Sequence, residues 1–207
     1  MKSLLCILAD KDMKEALLGL FSRTSWHRSM GCGPVAIDDK DLLVPPGQKD
    51  PGVFKRAHEL ARAYLRTHER LVVLLDCAWN GSPGRTVIEQ TVADNLERNG
   101  WDRERFEVIA IEPELETWLW SDVQALQQAF EREIDAASRA TLTETLGELM
   151  RNSEEDPKIR LSILRDRLRI PASSAQFRRF ASRAHVDQCT DPAFARFRAA
   201  LGRWFPP

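Results

Sequence analysis

Three apolar runs in this sequence stop at carboxylates. Leu4–Ala9 ends at Asp10, Leu71–Leu75 at Asp76, and Phe106–Ile111 at Glu112-Pro113-Glu114. Carboxylates held a few ångströms apart repel one another unless a cation lies among them. An all-oxygen ligand set suits Mg2+ or Mn2+, which keep water ligands and take phosphate oxygens as further ones. Such a site polarises a phosphodiester and stabilises its attacking and leaving oxygens. After Asp76 comes the turn Trp79-Asn80-Gly81-Ser82-Pro83-Gly84, leading into a helical stretch. Backbone N–H groups at Asn80, Gly81 and Ser82 are therefore candidates to hold a phosphate.

Each of these residues also has a plainer reading. Asp12 with Glu15 three residues later has capping-box spacing, so Asp12 reads as a helix N-cap rather than a ligand. Glu114 and Glu116 suit the first turn of a helix through its macrodipole. Asn80-Gly81 is a common turn pair. Core packing accounts for Trp118 at least as well as base stacking does. Lys158 could reach a phosphate, or could simply be an exposed lysine at a helix start. Asp76 is the hardest to explain structurally, because a carboxylate that closes a buried strand before a glycine-rich turn more often serves a site than packing.

Other chemistries are poorly supplied. Cys6, Cys32, Cys77 and Cys189 lie far apart without C-x-x-C spacing, and the four histidines, His27 and His58 among them, show no ligand pair. The cysteines read as free buried thiols in a reducing compartment. No nucleophilic Ser, Cys or His constellation is visible.

The elements that must position the acids follow from periodicity. The three apolar runs have the pattern of strands buried on both faces. Helical spacing follows the first run at Met13, Ala16, Leu17, Leu20 and Phe21. Asp50-Pro51-Gly52 opens a further helix with Asp50 at its cap, and its apolar face runs through Phe54, Ala57, Leu60, Ala61, Tyr64 and Leu65. Thr86 with Glu89 suggests a capping box for a helix ending before Gly100, and Pro113 can start one carrying Leu115, Trp118 and Leu119. The Gly- and Pro-rich stretch 24–49 leaves room for one or two short strands, at 34–37 and 42–44. Strands alternating with helices imply right-handed crossovers and a parallel sheet, whose carboxyl edge is where ligands bind. Beyond Ser121 only helical patterns remain, at 123–150, 158–169, 174–184 and 191–204. The expected organisation is an α/β domain over 1–122, with an all-helical C-terminal region over 123–207 packed on it.

A hydrophobic content of 43% with 29% charged residues excludes wholesale disorder. The start of the chain imitates a signal peptide, but its apolar run is short, and Asp10 and Asp12 fall where a cleavage site would need small residues. No run approaches bilayer length, so a cytoplasmic protein without a membrane is expected. The net charge of −1 divides unevenly. From Arg151 onward twelve Lys/Arg face six Asp/Glu, which gives +6 and leaves −7 for residues 1–150. That asymmetry permits intramolecular attraction, self-association or a nucleic-acid contact, and a solvated helical face is its plainest reading.

The order strand–acid–helix, strand–Asp–turn–helix, strand–Glu-Pro-Glu–helix resembles the Toprim fold, the metal-binding catalytic domain of topoisomerases, primases and OLD-family nucleases. Ile111-Glu112-Pro113-Glu114-Leu115-Glu116-Thr117-Trp118-Leu119 resembles the PELE-x-W signature of a small Toprim-like family often encoded among bacterial phage-defence genes. Asp191-Pro192-Ala193-Phe194-Ala195-Arg196-Phe197 with Leu201 is similar to that family's tail. The resemblance implies a nuclease-like defence component holding Mg2+ or Mn2+, with Asp10, Asp76 and Glu114 as metal ligands and Glu112 as a further ligand or general base. Nucleic acid and other defence-system proteins are its implied partners. Two departures stand out: Asp10 (or Asp12) occupies a region where Toprim domains carry Glu, and Asp76-Cys77-Ala78 replaces Asp-x-Asp. The first withdraws a carboxylate by roughly 1.5 Å, about one bond length. The second removes a ligand. The alternative reading is a catalytically degenerate Toprim-like subunit that binds protein or nucleic acid within a defence complex.

Overall fold

The computed structural model describes residues 1–207. Four strands, β1 (Lys2–Leu8), β2 (Leu42–Leu43), β3 (His68–Asp76) and β4 (Phe106–Ile111), form one sheet in the order β2-β1-β3-β4. Every pairing is parallel; Leu8 lies opposite Leu74 and Asp76 opposite Ile111. The α/β class expected from the alternating pattern is the class observed. Only one of the two short strands allowed for 34–44 forms, at Leu42–Leu43.

The sheet is flanked by α1 (Lys11–Phe21), α2 (Trp26–Ser29), α3 (Asp50–Arg62) and α4 (Arg85–Arg98). Helices α3 and α4 pack together against β1, β3 and β4, while α1 returns from β1 toward β2. With right-handed crossovers, that strand order puts α1 on the opposite face from α3 and α4. After β4 the chain is all helix and turn: α5 (Glu116–Leu119), α6 (Val123–Phe130), α7 (Arg139–Arg151), α8 (Pro157–Leu168), α9 (Ser174–Ala181) and α10 (Pro192–Trp204). Helix α9 packs along α1, and α10 lies against β4. One hydrophobic cluster of 60 buried residues runs from Leu4 to Trp204 through both parts.

The α1–α9 contact is close because Gly19 allows it. A Cβ at that position would stand 2.3 Å from the backbone oxygen of Arg178. At β4, side chains satisfy an edge that would otherwise be open. Glu89 accepts from the Ala110 N–H at 3.1 Å, Arg85 donates to the Ala110 carbonyl at 3.1 Å, and Arg196 donates to the Val108 carbonyl at 2.9 Å. An edge covered in this way offers no template for a further strand.

Several caps differ from expectation. Asp10, not Asp12, is the N-cap of α1 and accepts from the Met13 N–H at 2.9 Å. Strand β1 stops one residue earlier than its apolar run suggests, so the first carboxylate falls at the cap. Lys49 rather than Asp50 is the N-cap of α3, and Asp50 sits in its first turn. No Thr86–Glu89 box forms: Gly84, at φ +86°, precedes α4, and Glu89 is committed to the β4 edge. Pro113 starts no helix. The Glu112–Pro113 peptide is cis, and α5 begins only at Glu116.

All four cysteines are free and buried. No helix is long and apolar enough to cross a membrane. Part of the charge asymmetry is met by pairing within the chain. Arg196 pairs with Glu89 at 2.5 Å and Glu107 at 2.7 Å, Arg203 with Glu107 at 3.2 Å, and Arg178 with Glu15 at 3.5 Å.

Candidate functional site

Because all four strands run the same way, the acids that end β1, β3 and β4 share one edge. Asp76 is the last residue of β3 and only 5% exposed. Its Oδ1 accepts from the Leu115 N–H at 2.9 Å, which fastens the segment after β4 to the end of β3. Its own N–H donates to Asp50 Oδ1 at 2.7 Å. Burial pushes the Asp76 carboxyl well above the usual carboxylate range, and the charges of Asp50, Glu116, Asp10 and Glu114 push it further. Of those four, Asp50 touches Asp76 through the Asp76 N–H, and the others act on its charge from the same edge.

Asp10 is raised by burial and by Asp12 and Asp50, against the Met13 N–H that it caps. Its capping role and its place in the cluster coexist, since one oxygen serves the helix. Glu116 is pushed up to about 7, chiefly by burial; Glu114 and Asp12 add to this, while its own N–H and Lys158 oppose it. The Glu114 side chain is 9% exposed, and its Oε1 accepts from Lys158 Nζ at 3.1 Å. Its other oxygen, Oε2, is buried with no partner, an arrangement that is uncommon and costly in a folded protein.

Helix α8 supplies the countercharges. Burial disfavours the Lys158 ammonium, yet its bond to Glu114 and the charges of Glu116, Glu114 and Asp76 outweigh that and raise it. Arg165 lies seven residues on, two helical turns along the same face. It acts electrostatically on the same edge through Asp12 and Glu116, while its Nε donates to Gln176 Oε1 at 2.8 Å.

Of the residues singled out in the sequence, Asp10, Asp76 and Glu114 are close enough at this edge for the charges of the first and last to act on Asp76, without converging as a metal-binding group. Glu112 is not. It is exposed, pairs with Arg85 at 3.7 Å, and acts on Cys77 rather than on Asp76. Both residues lie beyond the end of β4, where Glu112 is exposed and Glu114 is buried. Asn80, Gly81 and Ser82 form a turn closed by Ser82 N–H to the Trp79 carbonyl at 3.0 Å and Gly84 N–H to Ser82 Oγ at 3.3 Å. Gly81, at φ +80°, allows it.

Asp50 and Glu116 were missed as site residues. Asp50 already had an explanation as a helix cap, and Glu116 as a first-turn acid. The tryptophans beside the acids are structural. Trp118 donates to Asp191 at 2.9 Å and packs edge-on against Phe194, Trp120 donates to the Pro157 carbonyl at 3.0 Å, and Trp79 lies against Phe54.

The donors at this edge are all oxygens, with one buried carboxylate oxygen unused. That chemistry fits a hard divalent cation. In the conformation described, no three His, Cys, Asp or Glu side chains converge as a metal-binding group. No family model, curated protein or solved structure matches the chain.

Proposed function

We propose that the carboxyl edge of the sheet is a Mg2+ or Mn2+ site for phosphodiester cleavage in nucleic acid, in a component of a bacterial anti-phage defence system. One observation carries the reading: Asp76, Glu114 and Glu116 are all buried at the carboxyl edge of the sheet, with Asp50 bonded to the Asp76 N–H and the charge of Asp10 acting on Asp76. Burying that many like charges is strongly unfavourable, and strongly perturbed carboxylates in such a place mark functional sites more often than structural ones. The unpartnered Oε2 of Glu114 supports it independently. Asp76, Asp10 and Glu114 would hold the cation, with Asp50 beside them. Bound there, it would neutralise the cluster and polarise a phosphodiester. The nucleic-acid substrate and the defence context rest on the resemblance of Ile111–Leu119 to the PELE-x-W family.

A second reading, a binding subunit with a degenerate site, is favoured by Ala78 where Toprim domains carry a second Asp. The Lys158–Glu114 pair points the same way. Calorimetric titration of Mn2+ into the protein and its Asp76→Ala variant separates the two. Micromolar binding that disappears in the variant, followed by Mn2+-dependent cleavage of DNA or RNA, supports the first. Absence of binding at millimolar Mn2+ refutes it and leaves the second.

A further inference from the structure

We infer that Lys158 is the exchangeable counter-ion of this edge: its ammonium occupies Glu114 in the cation-free protein and is displaced when a divalent cation enters. The inference rests on the cation site proposed above and concerns how that site is regulated.

The geometry separates a fixed backbone from a movable side chain. Asp156 Oδ1 accepts from the N–H groups of Lys158 and Ile159 at 2.9 and 3.1 Å, and so caps α8. Trp120 Nε1 donates to the Pro157 carbonyl at 3.0 Å, holding the same turn against α5. Neither bond involves the Lys158 side chain, which is 59% exposed. The ammonium can therefore leave for solvent without disturbing the helix. Its carboxylate partner is 9% exposed and keeps one oxygen buried without a donor. The single ammonium thus meets only one of the two Glu114 oxygens and leaves the other buried without a donor. A divalent ion brings twice the charge and can take several oxygens at once. Lys158 and the cation then compete for one carboxylate.

The test is Mn2+ binding by calorimetry to the full chain and to Lys158→Met, which preserves length and removes charge. Thermal melting of both proteins in EDTA and in Mn2+ gives a second readout. The variant is expected to bind Mn2+ about tenfold more tightly, the scale set by removing one like charge from within several ångströms of a divalent ion even at high dielectric. In EDTA it should melt lower than wild type, and Mn2+ should raise its midpoint by more than it raises that of wild type. Binding by the variant alone would also support the exchange. Binding by wild type with equal or weaker binding by Lys158→Met overturns the exchange while leaving the cation site standing. Binding by neither protein at millimolar Mn2+ overturns both. Lys158→Gln repeats the test with a polar side chain, so that a packing defect special to Met cannot imitate the result.

Discussion

The acid cluster should make the cation-free protein less stable as pH rises, and Glu116→Gln should remove much of that loss. Glu116 is buried, and its carboxyl is pushed from an ordinary 4.5 to about 7. Between those values the folded state holds a proton that the unfolded state has released. Stability therefore falls as pH climbs through this window and levels off above it. Each tenfold change in proton affinity is worth about 1.4 kcal/mol, so the gap corresponds to about 3 kcal/mol. For a chain of this size that is a fall in thermal midpoint of about 6–12 °C. Asp76 and Asp10 are raised too and act in the same direction. Asp41 and Asp122 are lowered despite their burial, by the hydrogen bonds they accept, including those of Lys2 to Asp41 and His185 to Asp122. Their contribution is present above 3.8 and is lost as pH falls through their lowered folded values, so it bounds the acid side. The assay is urea unfolding in EDTA at pH 5 and pH 8. Gln is nearly isosteric with protonated Glu, so the two proteins should match at pH 5, with the variant about 3 kcal/mol more stable at pH 8. Equal stabilities at both pH values would refute the account of a buried, proton-holding Glu116.

Three further outcomes are expected. Asp76→Asn keeps an oxygen for the Leu115 N–H but removes the most crowded charge; calorimetry should find Mn2+ binding lost, and melting in EDTA at pH 8 should find the midpoint raised by several degrees. Glu112→Ala should leave Mn2+ affinity within twofold of wild type by calorimetry, because its partner is Arg85 on the exposed side of the edge. Gly19→Ala drives a Cβ into the Arg178 carbonyl and must part α1 from α9; chemical denaturation should show a loss of about 1–3 kcal/mol, the usual scale of overpacking.

The sheet was legible because its strands are apolar on both faces. Leu71–Leu75 and Phe106–Ile111 are too short to be helices of their own, and the helices between the strands force parallel pairing. Caps were less legible, because Asp10 and Asp12 both stand before one helical pattern, and only the end of β1 decides which one meets the Met13 N–H. The site was read in outline. Asp10, Asp76 and Glu114 each close or follow an apolar run, so a parallel sheet alone puts them at one edge. Asp50 does not end an apolar run of its own, and it reaches Asp76 through an N–H that no local pattern marks. Glu112 and Glu114 are equivalent by composition, and only the fold leaves one exposed and one buried.

The helical region also bears on the acids in a way the charge count did not reveal. Its excess of basic residues was open to a nucleic-acid contact, yet much of it is spent within the chain. Arg196 and Arg203 go to Glu89 and Glu107 at the β4 edge, and Arg178 to Glu15 on α1. Lys158 and Arg165 differ, because they face carboxylates that remain under-compensated. At the β4 edge the charges are matched and no carboxylate oxygen is left buried without a partner. At the carboxyl edge the fold instead leaves Asp76 raised, Glu114 half-satisfied and its one ammonium partner exposed. The contrast between this edge and the β4 edge is what the proposed cation site rests on.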